Sequence, residues 1–273
     1  MKILVCQILV SSKKEENFNK IKYFLKKNIN QQINIVVLPE CWNSPYGTKY
    51  FAKYSEYLRP YLKFEKDKLE HTPLTYHFLK AESTKYPNVY FICGSIPEID
   101  NNLIYNTCPI FFNGQLIDKY RKMNLYNIDL PGHQFRESDV LTPGDKPLII
   151  TTPWGRIGIG ICFDLRFPDL AKYYRENKCD VIIYPGAFNQ ITGKKHWELL
   201  QRSRALDNML FIVSCSVATN PNSDFLAWGH STIVNPWGEV VNKLEEKEGV
   251  LIYDLNFKIN KEIRQRIPIF NKS

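Results

Sequence analysis

Short runs dense in β-branched and aromatic residues punctuate the chain: ILVCQILV, NIVVLPE, VYFICGS, TCPIFF, QLIDKY, LIITT, IGIGIC, DVIIYPG, LFIVSCSVA, HSTIVNP and VLIYDL. Each has the length and residue preference of a strand. Between several of them the apolar period lengthens to that of a helix. Phe18, Ile21, Phe24, Leu25 and Ile29 fall on one stripe of 15–30, and Trp197, Leu200 and Leu206 are spaced similarly in 194–208. Strands alternating with helices predict an α/β fold. Hairpin turns at Asn113-Gly114 and at NPWG, 235–238, require antiparallel neighbours as well, so the sheets are expected to be mixed. About eleven strands are more than one twisted open sheet usually carries. The expected architecture is therefore a four-layer α-β-β-α sandwich, with two mixed β-sheets packed face to face. No Gly/Ser/Pro-rich linker, repeat or low-complexity tract interrupts the pattern, which predicts a single domain over 1–273.

Composition narrows the class. With 44% hydrophobic and 14% aromatic content, 273 residues are enough to bury a large core. No run of about 18 apolar residues is present, and the opening MKILVCQILVSSKK is too short to span a bilayer and lacks a small-residue cleavage site. A soluble, cytoplasmic protein without a membrane partner is expected. Seven cysteines, an odd number with no CxxC pair, encode neither a disulfide framework nor a zinc site. The net charge of +8 suggests nucleic acid until it is mapped. Residues 1–90 hold 15 Lys+Arg against 8 Asp+Glu, largely in helix-like segments such as KKEENFNKIKYFLKK. That is the pattern of a solvated face, and no aromatic-interleaved basic motif accompanies it, so nucleic acid is not an expected partner.

Three stretches carry chemistry. GIGICFDLRFPDL, 158–170, begins as a closely packed strand with glycine at alternate positions and ends in charge, with Cys162 at the changeover and Pro168 opening a helix. NIVVLPECWNSPYG, 34–47, repeats that design and places Glu40 at the carboxyl end of an apolar strand. Ligands in α/β sheets gather at such strand ends, so Glu40 and Cys162 can share one crevice. The polar end of QLIDKYRKMNLY offers Lys119, Arg121 and Lys122 to the same place. A Cys–His hydrolase is disfavoured, because none of the five histidines carries a signature and Asp164 stands where a G-x-C-x-G elbow would need glycine. Cys41 follows Glu40 directly, but adjacent residues on an extended segment face opposite ways. Asp180 is expected to end a helix-to-strand turn.

LPECWNSPYG, DKYRKMNLYNID and GIGICFDLRFPDL together resemble the nitrilase, or carbon–nitrogen hydrolase, superfamily over nearly the whole chain. The resemblance implies Glu40 as base, Lys122 as the oxyanion-side lysine and Cys162 as nucleophile, with Glu137 nearby. Within the superfamily, NSPYG, YNTC, YPGAFNQITGKKHWELLQRSRALDN and AWGHSTIVNPWGEV most resemble ω-amidases, hydrolases of 2-oxoglutaramate. It further implies that Arg166 grips a distal carboxylate, that Tyr46, Phe188 and Thr192 line the pocket, and that the backbone N–H of Phe163 helps hold the oxyanion. Pairing of Arg166 with Asp164 or Asp169 is the alternative. His196 is read as a supporting residue. Such chemistry needs no metal and no organic cofactor, and its partner is a small-molecule amide. The resemblance also implies a homodimer or larger assembly through the outer helices and the carboxyl-terminal region.

Two segments depart from the family pattern: 57–75 is longer and more basic than usual, and RIPIFNKS stops short of the usual tail. The competing functions are an amidase for deaminated glutathione or an N-carbamoyl compound, and a binding or scaffold protein that has kept the fold without turnover.

Overall fold

The computed structural model describes residues 1–29, 32–59, 71–131 and 133–269. Most of the basic segment 57–75 and the last four residues lie outside them.

Two mixed sheets form the centre. In the first, the parallel strands β1 (Lys2–Gln7), β2 (Ile35–Val37) and β3 (Tyr90–Ile92) are bordered by antiparallel β4 (Ile96–Asp100), β5 (Leu103–Phe112) and β6 (Gln115–Arg121) on one side. On the other side β15 (Gly249–Asp254) pairs antiparallel with β1. A short hairpin, β7 (Asn127–Leu130) with β8 (His133–Arg136), stands apart. In the second sheet, β10 (Arg156–Ile159), β11 (Val181–Gly186) and β12 (Phe211–Ser216) are parallel, flanked by antiparallel β9 (Leu148–Thr151), β13 (Thr232–Val234) and β14 (Val240–Lys243). The Asn113-Gly114 turn joins β5 to β6, and NPWG joins β13 to β14, as their turn chemistry predicts.

Side-chain alternation sorts the layers. Ile3, Val5, Ile35 and Val37 of the first sheet pack into one core with Ile157, Ile159, Val181 and Ile183 of the second. Leu4, Cys6 and Val36 point the other way, onto helices α1 (Lys14–Asn28) and α3 (Leu74–Lys85) through Phe18, Ile21, Leu25 and Leu79. Helix α2 (Thr48–Tyr54) lies beyond β2 in the chain. Across the molecule α4 (Pro168–Glu176) and α5 (Gln190–Asn208) cover the second sheet with Ala171, Tyr174, Trp197 and Ala205, and α6 (Lys258–Arg266) closes the described chain. The expected α-β-β-α sandwich is the fold observed. None of the described helices is long and apolar enough to cross a membrane.

The stripe read for α5 is partly wrong. Leu206 is 52% exposed, whereas polar Gln201, Arg204 and Asn208 are buried with Trp197. Arg204 explains the polar face, because its guanidinium donates to the carbonyls of Leu165 and Arg166. An interior helix face used to hold another segment's backbone can be polar wherever those bonds are made.

Candidate active site

The alternate glycines of 158–170 are forced by packing. A Cβ on Gly158 would stand 2.5 Å from the Tyr174 ring, and one on Gly160 2.4 Å from Tyr184. After β10 the chain enters a 3₁₀ turn, Cys162–Arg166, in which Cys162 adopts φ +47°. A non-glycine residue in this left-handed region costs about 1 kcal/mol or more and persists only where its surroundings impose it. Asp164 supplies that constraint. Its carboxylate accepts from Ile161 N at 2.8 Å, Tyr120 Oη at 2.8 Å, and Asn124 N and Nδ2 at 2.9 and 2.8 Å. One buried acid thereby ties the cysteine turn to the segment carrying Lys122.

Glu40, Lys122, Glu137 and Cys162 converge in the interior, the first three fully buried. Lys122 Nζ lies 3.0 Å from Glu40 Oε1 and 2.9 Å from Glu137 Oε2. Asn106 Nδ2 donates to Glu40 Oε1 at 2.9 Å. Glu137 accepts from Tyr126 N at 2.7 Å and from Tyr46 Oη at 2.7 Å, so this acid of the FRESD loop is an interior residue rather than a surface one. Lys119 and Arg121 turn away to Glu98, leaving Lys122 as the one cation of the KYRK cluster that faces inward. Glu40 Oε2 is buried without a well-formed hydrogen bond, and the Cys162 thiol lies close enough to interact with that carboxylate.

One cation faces two acids and a thiol here, and the charges sort accordingly. Burial pushes the Glu40 carboxyl above the ordinary carboxylate range, Lys122 pulls it down, and Glu137 adds to the rise. Burial alone would lower Lys122, but Glu137 and Glu40 outweigh it and hold the ammonium well above the ordinary lysine value. The Cys162 thiol is raised well above its ordinary value by burial and by Glu40, more than Lys122 lowers it. The resting sulfur is accordingly expected to be a thiol. Difference absorbance of the thiolate between wild type and Cys162→Ala should show no transition below an ordinary thiol pKa of about 8.5. A Cys162-dependent transition at about pH 5, in the range of activated thiolates, would contradict this.

A small cavity borders the sulfur, lined by Tyr126, Cys162, Phe163, Arg166, Ala187, Phe188, Asn189 and Thr192. Arg166 is half-buried and reaches it with the guanidinium 4.9 Å from the Phe188 ring and 5.6 Å from that of Phe163. Asp164 is engaged elsewhere, and among the described residues no carboxylate forms an ion pair with Arg166. Thr192 lines the cavity, with its N–H and hydroxyl both directed to Asn189 Oδ1 at the start of α5.

Tyr46 lies on the other side of the acids: its ring packs against Phe51, Phe135 and Phe225, its hydroxyl donates to Glu137, and it lines a larger open groove with Glu40 and Cys41. One expectation needs correction. Cys41 is not on an extended segment: it has φ +46° in a turn after Glu40, and its side chain packs into an apolar cluster with Tyr46 and Phe51. Sequence reasoning missed Tyr126 and Asn189, whose side chains bond each other at 2.8 Å, and Asn106, although YNTC and YPGAFNQ contain two of them. Among the described residues no group of three or more His, Cys, Asp or Glu is arranged to hold a metal.

Comparison with known proteins agrees with this geometry. The family model described as "Carbon-nitrogen hydrolase" matches residues 2–265. The human protein omega-amidase NIT2 is 43% identical over 273 residues, covering 99% of this chain and 94% of the relative. The Xenopus tropicalis omega-amidase NIT2 is 43% identical over 270 residues, 98% and 93% of the two chains. Nit3 of Saccharomyces cerevisiae, a member of branch 10 of the nitrilase superfamily, superposes with a TM-score of 0.88 at 37% identity, covering 100% of this chain and 96% of that one. With its four layers, its buried Glu40, Lys122 and Cys162 and these matches over nearly its full length, the chain belongs to the carbon–nitrogen hydrolase family.

Proposed function

We propose that the protein is an ω-amidase, which hydrolyses the ω-amide of 2-oxo dicarboxylic acids such as 2-oxoglutaramate to the dicarboxylate and ammonia. The observation that carries the substrate class is Arg166. A half-buried guanidinium beside the reactive sulfur, with its Nε buried and unpartnered, suits a substrate carboxylate held by two parallel bonds. Relatives named omega-amidase along nearly the whole chain support the same reading.

In this mechanism Glu40 takes the thiol proton as sulfur attacks the amide carbon. Lys122 and the backbone N–H of Phe163 hold the resulting oxyanion. Glu40 then passes its proton to the departing nitrogen, and ammonia leaves a thioester on Cys162. A water molecule that gives a proton to the same Glu40 hydrolyses the thioester, releasing the acid and restoring the thiol. Glu137 fixes Lys122 between two acids, so the ammonium stays charged throughout.

The test separates substrates by charge. Arg166→Lys keeps a positive charge but loses the fork, and is expected to raise KM about tenfold or more for 2-oxoglutaramate and much less for butanamide, which has no distal carboxylate. Equal changes on both amides would remove Arg166 from substrate recognition. Hydrolysis of deaminated glutathione in preference to 2-oxoglutaramate would favour the sister activity.

The chain is also proposed to act as a single-domain homodimer or larger assembly in the cytoplasm. Tyr173, Ile191 and Leu206 are exposed apolar side chains on the outer helices, which supports contact there.

A further inference from the structure

Arg166 carries a polar contact that the proposed chemistry leaves unused. Its Nη1 lies 3.2 Å from Nδ1 of His196, one turn and a half into α5. A guanidinium has no lone pair to offer, so Nδ1 is the acceptor and the ring proton sits on Nε2. Partial burial, with Arg166 and Lys195 close by, lowers the imidazole's pKa, which keeps the ring neutral and able to accept.

The choice of nitrogen matters. A planar guanidinium presents two forks, and the side-on one is formed by Nε and Nη2. Occupying Nη1 leaves that fork intact. On this guanidinium Nε is buried and unpartnered, so the open edge is the one a carboxylate needs. The Phe188 and Phe163 rings, which share the cavity wall with it, pack against the group, while Arg204 holds the carbonyls of Leu165 and Arg166. Backbone and ring faces are thus fixed by others, and His196 fixes the remaining rotation about the guanidinium's own bonds.

We propose that His196 is a positioning residue for substrate recognition: its Nδ1 holds Nη1 of Arg166 so that the Nε–Nη2 edge faces the cavity and receives the substrate's distal carboxylate. This inference rests on the reading of Arg166 given above. It makes selectivity between charged and neutral amides depend on a side chain that itself touches neither substrate nor sulfur.

The experiment compares kcat/KM for 2-oxoglutaramate with that for butanamide in wild type, His196→Ala, His196→Asn and Arg166→Ala. Asparagine places Oδ1 near the position of Nδ1 and retains the acceptor. His196→Ala is expected to lower the ratio of the two values about tenfold through KM for the charged amide, the scale of one hydrogen bond to a charged group. His196→Asn should restore most of it. Arg166→Ala should lower the ratio further. If Arg166→Ala changes the ratio and His196→Ala does not, the inference fails and the reading of Arg166 stands. If neither changes it, both fail. A loss of equal size on the two amides in His196→Ala, unrescued by asparagine, would make His196 a merely structural residue and overturn the proposal.

Discussion

Replacing Cys162 with alanine is expected to lower ammonia release from 2-oxoglutaramate by about 10⁴-fold or more, the scale on which loss of a hydrolase nucleophile acts. An amide is a weak electrophile with a poor leaving group. Without the sulfur, water would have to attack it directly. Folding should survive the change, because alanine carries the same Cβ into the left-handed conformation at residue 162 and adds no volume to the cavity wall. Thermal unfolding close to that of wild type, together with the lost turnover, is the expected pair of results. Ammonia release by Cys162→Ala at a rate comparable to wild type would return the cysteine to a packing role.

Lys122→Ala is expected to cost less turnover than this but more stability. Losing one oxyanion donor costs about 10²–10³ in rate. The substitution also strips Glu40 and Glu137 of the cation that lies within 3.0 Å of both. Removing one partner of a buried pair costs about 3–5 kcal/mol, since the charge left behind has neither water nor counter-charge. The pH dependence has a definite sign. With Lys122 gone, the cation that pulls the Glu40 carboxyl down is lost, so its folded-state pKa moves further above its unfolded value of about 4.3. The folded variant then holds more protons than the unfolded chain across the range between those values, so its stability falls as pH rises through it. The melting-temperature gap between wild type and Lys122→Ala should be wide at pH about 8 and narrow at pH about 5. A gap independent of pH would show that the ammonium is not balancing these acids.

Much of this centre was legible in the sequence because strand ends are. Continuous apolar runs that break into charge predicted where Glu40 and Cys162 emerge, and the Asn113-Gly114 turn brought Lys122 back beside them. Alternate glycines at 158 and 160 announced the close approach of Tyr174 and Tyr184 without naming those partners. Partners at a distance were not legible. Tyr46 reads as one more aromatic residue near Glu40, and only the tertiary fold brings its hydroxyl to Glu137, ninety-one residues away. Tyr126 and Asn189 are likewise sixty-three residues apart. The polar face of α5 escaped periodicity because Arg204 is buried by bonds to a turn that the helix pattern does not contain. The β7–β8 hairpin, edge strand β4 and β14 lack long apolar runs, which is why a search for such runs passes over them.

Whether Cys162 forms an acyl-enzyme between Glu40 and Lys122 is tested most directly by partitioning with hydroxylamine. Wild-type enzyme should yield the same ratio of hydroxamate to free acid from 2-oxoglutaramate and from an ω-ester of the same acid, because both pass through one thioester, and Cys162→Ala should yield neither product. Ratios that differ between amide and ester, or acid formed without hydroxamate at any hydroxylamine concentration, would contradict it.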